Sequence, residues 1–182
     1  LASVVTTGGA ITTISDRRVF NADDRERSVV RMYAPTYEGA AYEGDGSNNT
    51  GQLTVTNSGA AVTNYYVWNS TRSTLQDYDI VVHAVVPTEF VRWGSTPISL
   101  RYRTSSGSTA YAQADIEVYD TAGNQVTLSG DSADLTNTSW TTADIGFSGS
   151  PVWTTGSGFL IKIRSFAKES QEVQLGHLKI RH

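Results

Sequence analysis

No cysteine occurs among the 182 residues of this chain. That excludes disulfide frameworks, thiol nucleophiles and thiolate metal sites, and it leaves the redox compartment open. No apolar run approaches the ~20 residues that a membrane helix needs, so a soluble chain with no membrane partner is expected. Lysine and arginine total 14 against 18 acids, for a net charge of −4, and they form no basic block. Binding of nucleic acid through a basic face is therefore disfavoured. Charged residues reach only 18% and hydrophobic ones 38%, so Ser, Thr, Asn and Gly must carry much of the surface. That balance suits a protein outside cells, or one in an assembled particle, better than a cytosolic enzyme. No helical periodicity and no fixed-period repeat is legible. The first residue is Leu1 rather than Met, and an upstream segment, cleaved or left out, is expected.

What the chain does have is strands. Residues 98–104 alternate Ile98, Leu100 and Tyr102 against Ser99, Arg101 and Arg103. Residues 110–119 do the same, with Ala114, Ile116 and Val118 inward and Asp115, Glu117 and Tyr119 outward. The run 77–86, closed by Pro87, has the length and β-branched content of a central strand. Residues 28–33, 51–56, 65–68, 125–128, 140–145, 159–166 and 173–180 complete the set. Residues 120–124 read as a hairpin turn and 168–170 as a tight polar turn. The expected fold is all-β: a single antiparallel β-sandwich, jelly-roll-like, with an extended N-terminal arm. An immunoglobulin-like strand order is compatible with the same pattern.

The arm spans residues 1–27 and the sandwich 28–182. Residues 3–7 and 10–15 are β-prone and flank Gly8 and Gly9, and a charged run follows. Few side chains here can form a core, so the segment is expected to pack on a neighbouring copy. Ile11, Ile14, Asp16, Arg17 and Arg18 are the candidate oligomer contacts, with a frayed terminus as the plainer alternative.

Reaction chemistry is harder to find. His83, His177 and His182 are scattered and show no metal-ligand spacing. No G-x-S-x-G motif is present, and acids such as Asp23, Asp24, Asp131 and Asp134 lie in polar loops. Catalytic residues, a metal and cofactors are therefore all expected to be absent, and the protein is read as no enzyme. Residues 45–49 and 131–134 offer oxygen ligands of the kind that hold calcium, although ordinary turn chemistry accounts for them better. Aromatics are more suggestive. Tyr37, Tyr42, Tyr65, Tyr66 and Trp93 lie in or beside loops, where they suit a protein interface first and a glycan-stacking platform second. Trp140, Val152 and Trp153 are expected to plug the core.

The segment Gly8-Gly9-Ala10-Ile11-Thr12-Thr13-Ile14-Ser15-Asp16-Arg17-Arg18 resembles a short segment of bacteriophage tail-fibre and other virion-appendage proteins. Residues 79–87, 140–145, 153–156 and 161–164 resemble jelly-roll domains of phage structural proteins. The resemblance implies a non-enzymatic structural subunit of a virion or extracellular assembly. Its partners would be copies of itself as a trimer or larger homo-oligomer, other virion proteins, or surface glycans. The alternative is a carbohydrate-binding, receptor-binding β-sandwich module, with a hydrolase a distant third.

Overall fold

The computed structural model describes residues 2–7, 10–16, 31–33, 50–58 and 63–182, with side chains over 50–56 and 64–182. Period-two alternation sets its layers. A larger sheet has the order β4 (Gln52–Ser58), β5 (Thr63–Asn69), β12 (Glu172–Ile180), β7 (Ile98–Thr104), β10 (Thr141–Ser148) and β9 (Thr127–Gly130). Strand β12 also pairs with β3 (Arg31–Tyr33) through Leu178–Ile180, beyond the stretch that pairs with β5. The smaller sheet has the order β6 (Gln76–Val85), β11 (Gly158–Ala167) and β8 (Ala112–Tyr119). All named pairings are antiparallel.

The strand order is that of a jelly roll. Counting β5 as first and β12 as eighth, with residues 125–135 fifth, the sheets read 1-8-3-6 and 2-7-4-5. The fifth position is split. Gln125 and Leu135 bridge to Tyr119 and Ala114 of β8, while the intervening β9 swings across to the edge of β10. Asp120 shapes the turn before it: Oδ1 accepts the Ala122 and Asn124 amides at 2.9 Å, and Oδ2 accepts that of Val152 at 2.8 Å.

The core lies between the sheets. Ile80, Val82, Ile116, Val118, Ile161 and Ile163 of the smaller sheet face Ile98, Leu100, Ile145, Leu175 and Leu178 of the larger. Trp68, 2% exposed, is the tryptophan buried among them, and its indole donates to the Gln76 carbonyl at 2.9 Å. Three expectations need correcting here. Val152 is 48% exposed, and Trp140 is only half-buried on the outside of the larger sheet, because each precedes or leaves a strand rather than sitting at an inward position. Trp153 joins Phe90, Trp93, Phe147 and Phe159 in an aromatic cluster that closes one end of the sandwich. Strand β6 is an edge strand among the described residues, not a central one.

The double-sided burial of β6 has another source. Outside the smaller sheet, Arg164 Nε meets Asp79 Oδ1 at 3.3 Å, and its Nη2 meets Asp77 Oδ2 at 3.5 Å. Lys162 Nζ meets Glu117 Oε2 at 2.9 Å and Asp79 Oδ2 at 3.8 Å. This network spans all three strands, and each buried charge in it has opposite charge beside it. Apart from both sheets, β1 (Ala2–Thr7) and β2 (Ala10–Asp16) pair as a two-stranded hairpin.

Candidate functional site

The inward positions of β7 leave Ser99, Arg101 and Arg103 on the outer face of the larger sheet. Strand β12 contributes Glu172 and Gln174, and then its register with β7 shifts between Leu175 and Leu178. Gly176 and His177 together oppose Arg101, which makes a β-bulge. The indole of Trp140, just ahead of β10, lies over this bulge. It meets the Tyr65 ring edge-on, with centroids 5.1 Å apart and planes at 76°. The Arg101 guanidinium lies 5.6 Å from its centroid. The approach beneath is close: a Cβ on Gly176 would stand 3.3 Å from the Arg101 carbonyl oxygen and 3.4 Å from the indole.

Polar groups surround this trio. Arg103 Nε donates to the Thr138 carbonyl at 3.0 Å, and Gln174 Nε2 donates to Glu172 Oε1. Gln174 Oε1 and His177 Nδ1 are buried without a hydrogen-bond partner among the described residues. Burial, followed by the positive charges of Lys179 and Arg101, holds the His177 imidazole below the usual histidine range, so it is neutral at pH 7. Where β5 and β7 end and β12 begins, Asn69, Ser70, Ser105, Ser170, Gln171 and Glu172 line an open cleft of about 460 Å³. Ser105 Oγ donates to Gln171 Oε1 at 2.9 Å and accepts the Glu172 amide at 2.8 Å. Because Asn69 pairs with Glu172, and Gln174 with Val67 and Arg103, the cleft runs onto the aromatic face. Amides, hydroxyls, guanidinium groups and exposed ring surface are what a sugar chain needs for hydrogen bonding and stacking.

Of the sequence candidates, Tyr65 belongs to this face. Tyr66 points inward and packs on the core. Trp93 lies at the opposite end of the sandwich, with Phe90, Phe147, Trp153 and Phe159 rings 4.8–5.6 Å away. The space beside it, near Pro87 and His182, measures about 10 Å³, too small for a sugar ring. Ile11, Ile14 and Asp16 lie on β2, opposite Thr6, Val4 and Ala2. Arg17, Arg18, Tyr37, Tyr42 and residues 45–49 lie outside the described residues. His83 is exposed on edge strand β6. Asp131 and Asp134 are exposed, and the Asp134 amide donates to Asp115 Oδ1 at 2.7 Å. No three His, Asp or Glu side chains converge on a metal position among the described residues. Sequence reasoning placed Trp140 in the core, and no signal in the sequence marked it as a surface residue, since it stands just outside β10.

No protein family and no curated protein matches the chain. Solved structures do. A carbohydrate-binding module crystallised with β-1,4-galactotriose, TmCBM61, matches 84% of this chain and 99% of its own, with a TM-score of 0.52 at 12% identity. This likeness shows the β-sandwich fold. An arabinose-bound α-L-arabinofuranosidase, MgGH51, matches 87% of this chain and 26% of its own, with a TM-score of 0.44 at 11% identity. Neither is a phage tail fibre or a virion protein.

Proposed function

We propose that the chain is a carbohydrate-binding β-sandwich module. Its ligand lies along the outer face of the larger sheet, from the Asn69–Glu172 cleft to the Tyr65–Trp140 pair. The observation that carries this reading is that ring pair: two half-buried aromatics, Trp140 seated over the bulge glycine and Tyr65 edge-on to it, with the Arg101 guanidinium beside the indole. The likeness to a module crystallised with galactotriose supports it. An array of plant, microbial and animal glycans, followed by titration with the ligands retained, tests it. Trp140→Ala is expected to weaken binding at least roughly tenfold, equivalent to about 1.4 kcal/mol, and Tyr65→Ala to act in the same direction. Failure of every glycan to bind, or unchanged affinity in both variants, would remove the proposal.

A second reading, an assembly subunit, has one observation in its favour. The β1–β2 hairpin pairs with no sandwich strand among the described residues, and an isolated two-stranded hairpin is marginal in water. On this reading the hairpin gains its stability against a neighbouring copy. Light scattering would show an oligomer for the full chain and a monomer once residues 1–27 are removed. Equal masses would exclude it.

A further inference from the structure

The two outer faces of the sandwich treat their cations differently. On the smaller sheet, Lys162 and Arg164 lie within 4 Å of Asp77, Asp79 or Glu117, so positive charge is neutralised by the protein itself. On the larger sheet, Arg101, Arg103 and Lys179 make no ion pair with a described residue. The face also carries two negative charges, Glu172 and Asp144, which stand within ion-pair distance of none of these three cations. Glu172 accepts from Gln174, and Asp144 accepts from the Ser99 hydroxyl, with Arg181 3.9 Å away. A chain of net charge −4 therefore carries, on one face around its aromatic pair, four cations against two acids, and Arg101, Arg103 and Lys179 have no ion-pair partner among the described residues. Register places them as neighbours: Arg101 and Arg103 are two residues apart on β7, and Lys179 stands opposite Ser99.

We infer that the ligand of this face is an acidic polysaccharide whose sugar rings carry carboxylates, that is, a uronic-acid polymer. The inference rests on the carbohydrate-binding reading and adds the chemical class of the ligand. The Arg101 guanidinium carbon lies 5.6 Å from the Trp140 ring centroid, and none of its N–H groups is hydrogen-bonded to a described residue, which leaves them available to a ligand carboxylate. Arg103 spends Nε on the Thr138 carbonyl, which fixes the side chain and leaves its terminal nitrogens for a ligand oxygen. Two arginines on one strand face, with Cα atoms about 7 Å apart by strand geometry, can engage charges on a repeating polymer. The neutral surfaces of the rings meanwhile accept the apolar faces of the sugars. A neutral glycan would leave these cations without counter-charge.

Titration calorimetry of the full chain with polygalacturonate and with neutral β-1,4-galactan tests this directly. The expected result is tighter binding of polygalacturonate, by tenfold or more, weakening as salt rises from about 0.05 to 0.5 M. Arg101→Gln with Arg103→Gln should lower that affinity at least roughly tenfold. Arg92→Gln, which removes the same kind of charge from an exposed position off this face, should leave it unchanged. Equal or tighter binding of galactan, or an unaffected double variant, overturns the acidic ligand and leaves the module reading standing. Competition by dextran sulfate at equal charge as effective as that by polygalacturonate itself would overturn it too, since any polyanion would then serve. No binding to either polymer or to any member of the wider glycan array would overturn both readings together.

Discussion

Gly176 is the residue on which the candidate site turns. A side chain there would meet the Arg101 backbone on one side and the Trp140 ring on the other, each at 3.3–3.4 Å. Backbone cannot withdraw, so the ring must. Gly176→Val is therefore expected to displace the indole, red-shift tryptophan emission and weaken glycan binding, while β-sheet circular dichroism is retained. A variant with unchanged emission would place Trp140 elsewhere. Beside it, His177 links the face to pH. Burial lowers its folded-state affinity for protons, so the unfolded chain protonates more readily on acidification. Stability should then fall as pH drops from about 7.5 to about 5.5, through the ordinary histidine range, and His177→Gln should flatten that part of the profile. Equal slopes for the two proteins in thermal melts would contradict this. Part of this chemistry was legible in the sequence: the alternation around Leu100 put Arg101 and Arg103 outward, and Tyr65 was singled out. Trp140 was not legible as a surface residue. It stands just outside a strand, where period two does not apply, and an isolated tryptophan among Ser and Thr reads as core.

Strands, taken as units, show why some expectations held and others did not. Strands β7 and β8 keep one apolar and one polar face along their whole length, and both are oriented as their sequences predict. Strand β6 reads as central because acids and apolar residues are buried on both of its faces, yet the outer burial comes with an ion network rather than with strands on both sides. Hydrophobic pattern reports burial, and it does not distinguish a neighbouring strand from a salt-bridged cover. The bulge in β12 was equally hidden, since a single Gly-His pair carries no periodic signature. Strand β9 depends on a second glycine. Gly130 has φ +85°, and a Cβ there would come within 2.5 Å of the Asp144 carbonyl oxygen. Gly130→Ala should cost more than about 1 kcal/mol, read as a lower midpoint in urea, because neither the conformation nor the space suits a side chain. A change near zero would mean that β9 can leave the edge of β10 at little cost. Asp120→Ala removes the acceptor of three amides at the turn before β9 and should likewise lower the thermal midpoint.

Across the whole molecule, the sandwich and its outer faces divide the work. The smaller sheet closes its charges on themselves, and the larger sheet presents rings and open cations. The antiparallel sandwich was legible in strand number and chain length, but an immunoglobulin-like strand order would have fitted the same pattern. Strand order and the charge pairing on each face depend on contacts between residues distant in sequence. The resemblance to virion appendages rested on strand and turn chemistry that any sandwich of this composition shares. Removing residues 1–27 deletes β1 and β2 but no strand of either sandwich sheet, so the thermal midpoint should change by only a few degrees. A collapse of the melt would assign those residues to the fold itself. Finally, β11 and β12, the last two described strands, are interior to their respective sheets, and β6 and β8 both pair with β11. During synthesis, the earlier strands therefore emerge before the partners that would join them. Neither layer can close until residues 158–180 have left the ribosome, and the nascent chain exposes unpaired edges until then. Folding dominated by such distant pairings is slow, on the order of milliseconds to seconds, and the sandwich is open to capture by chaperones or by its own copies until those two strands have emerged.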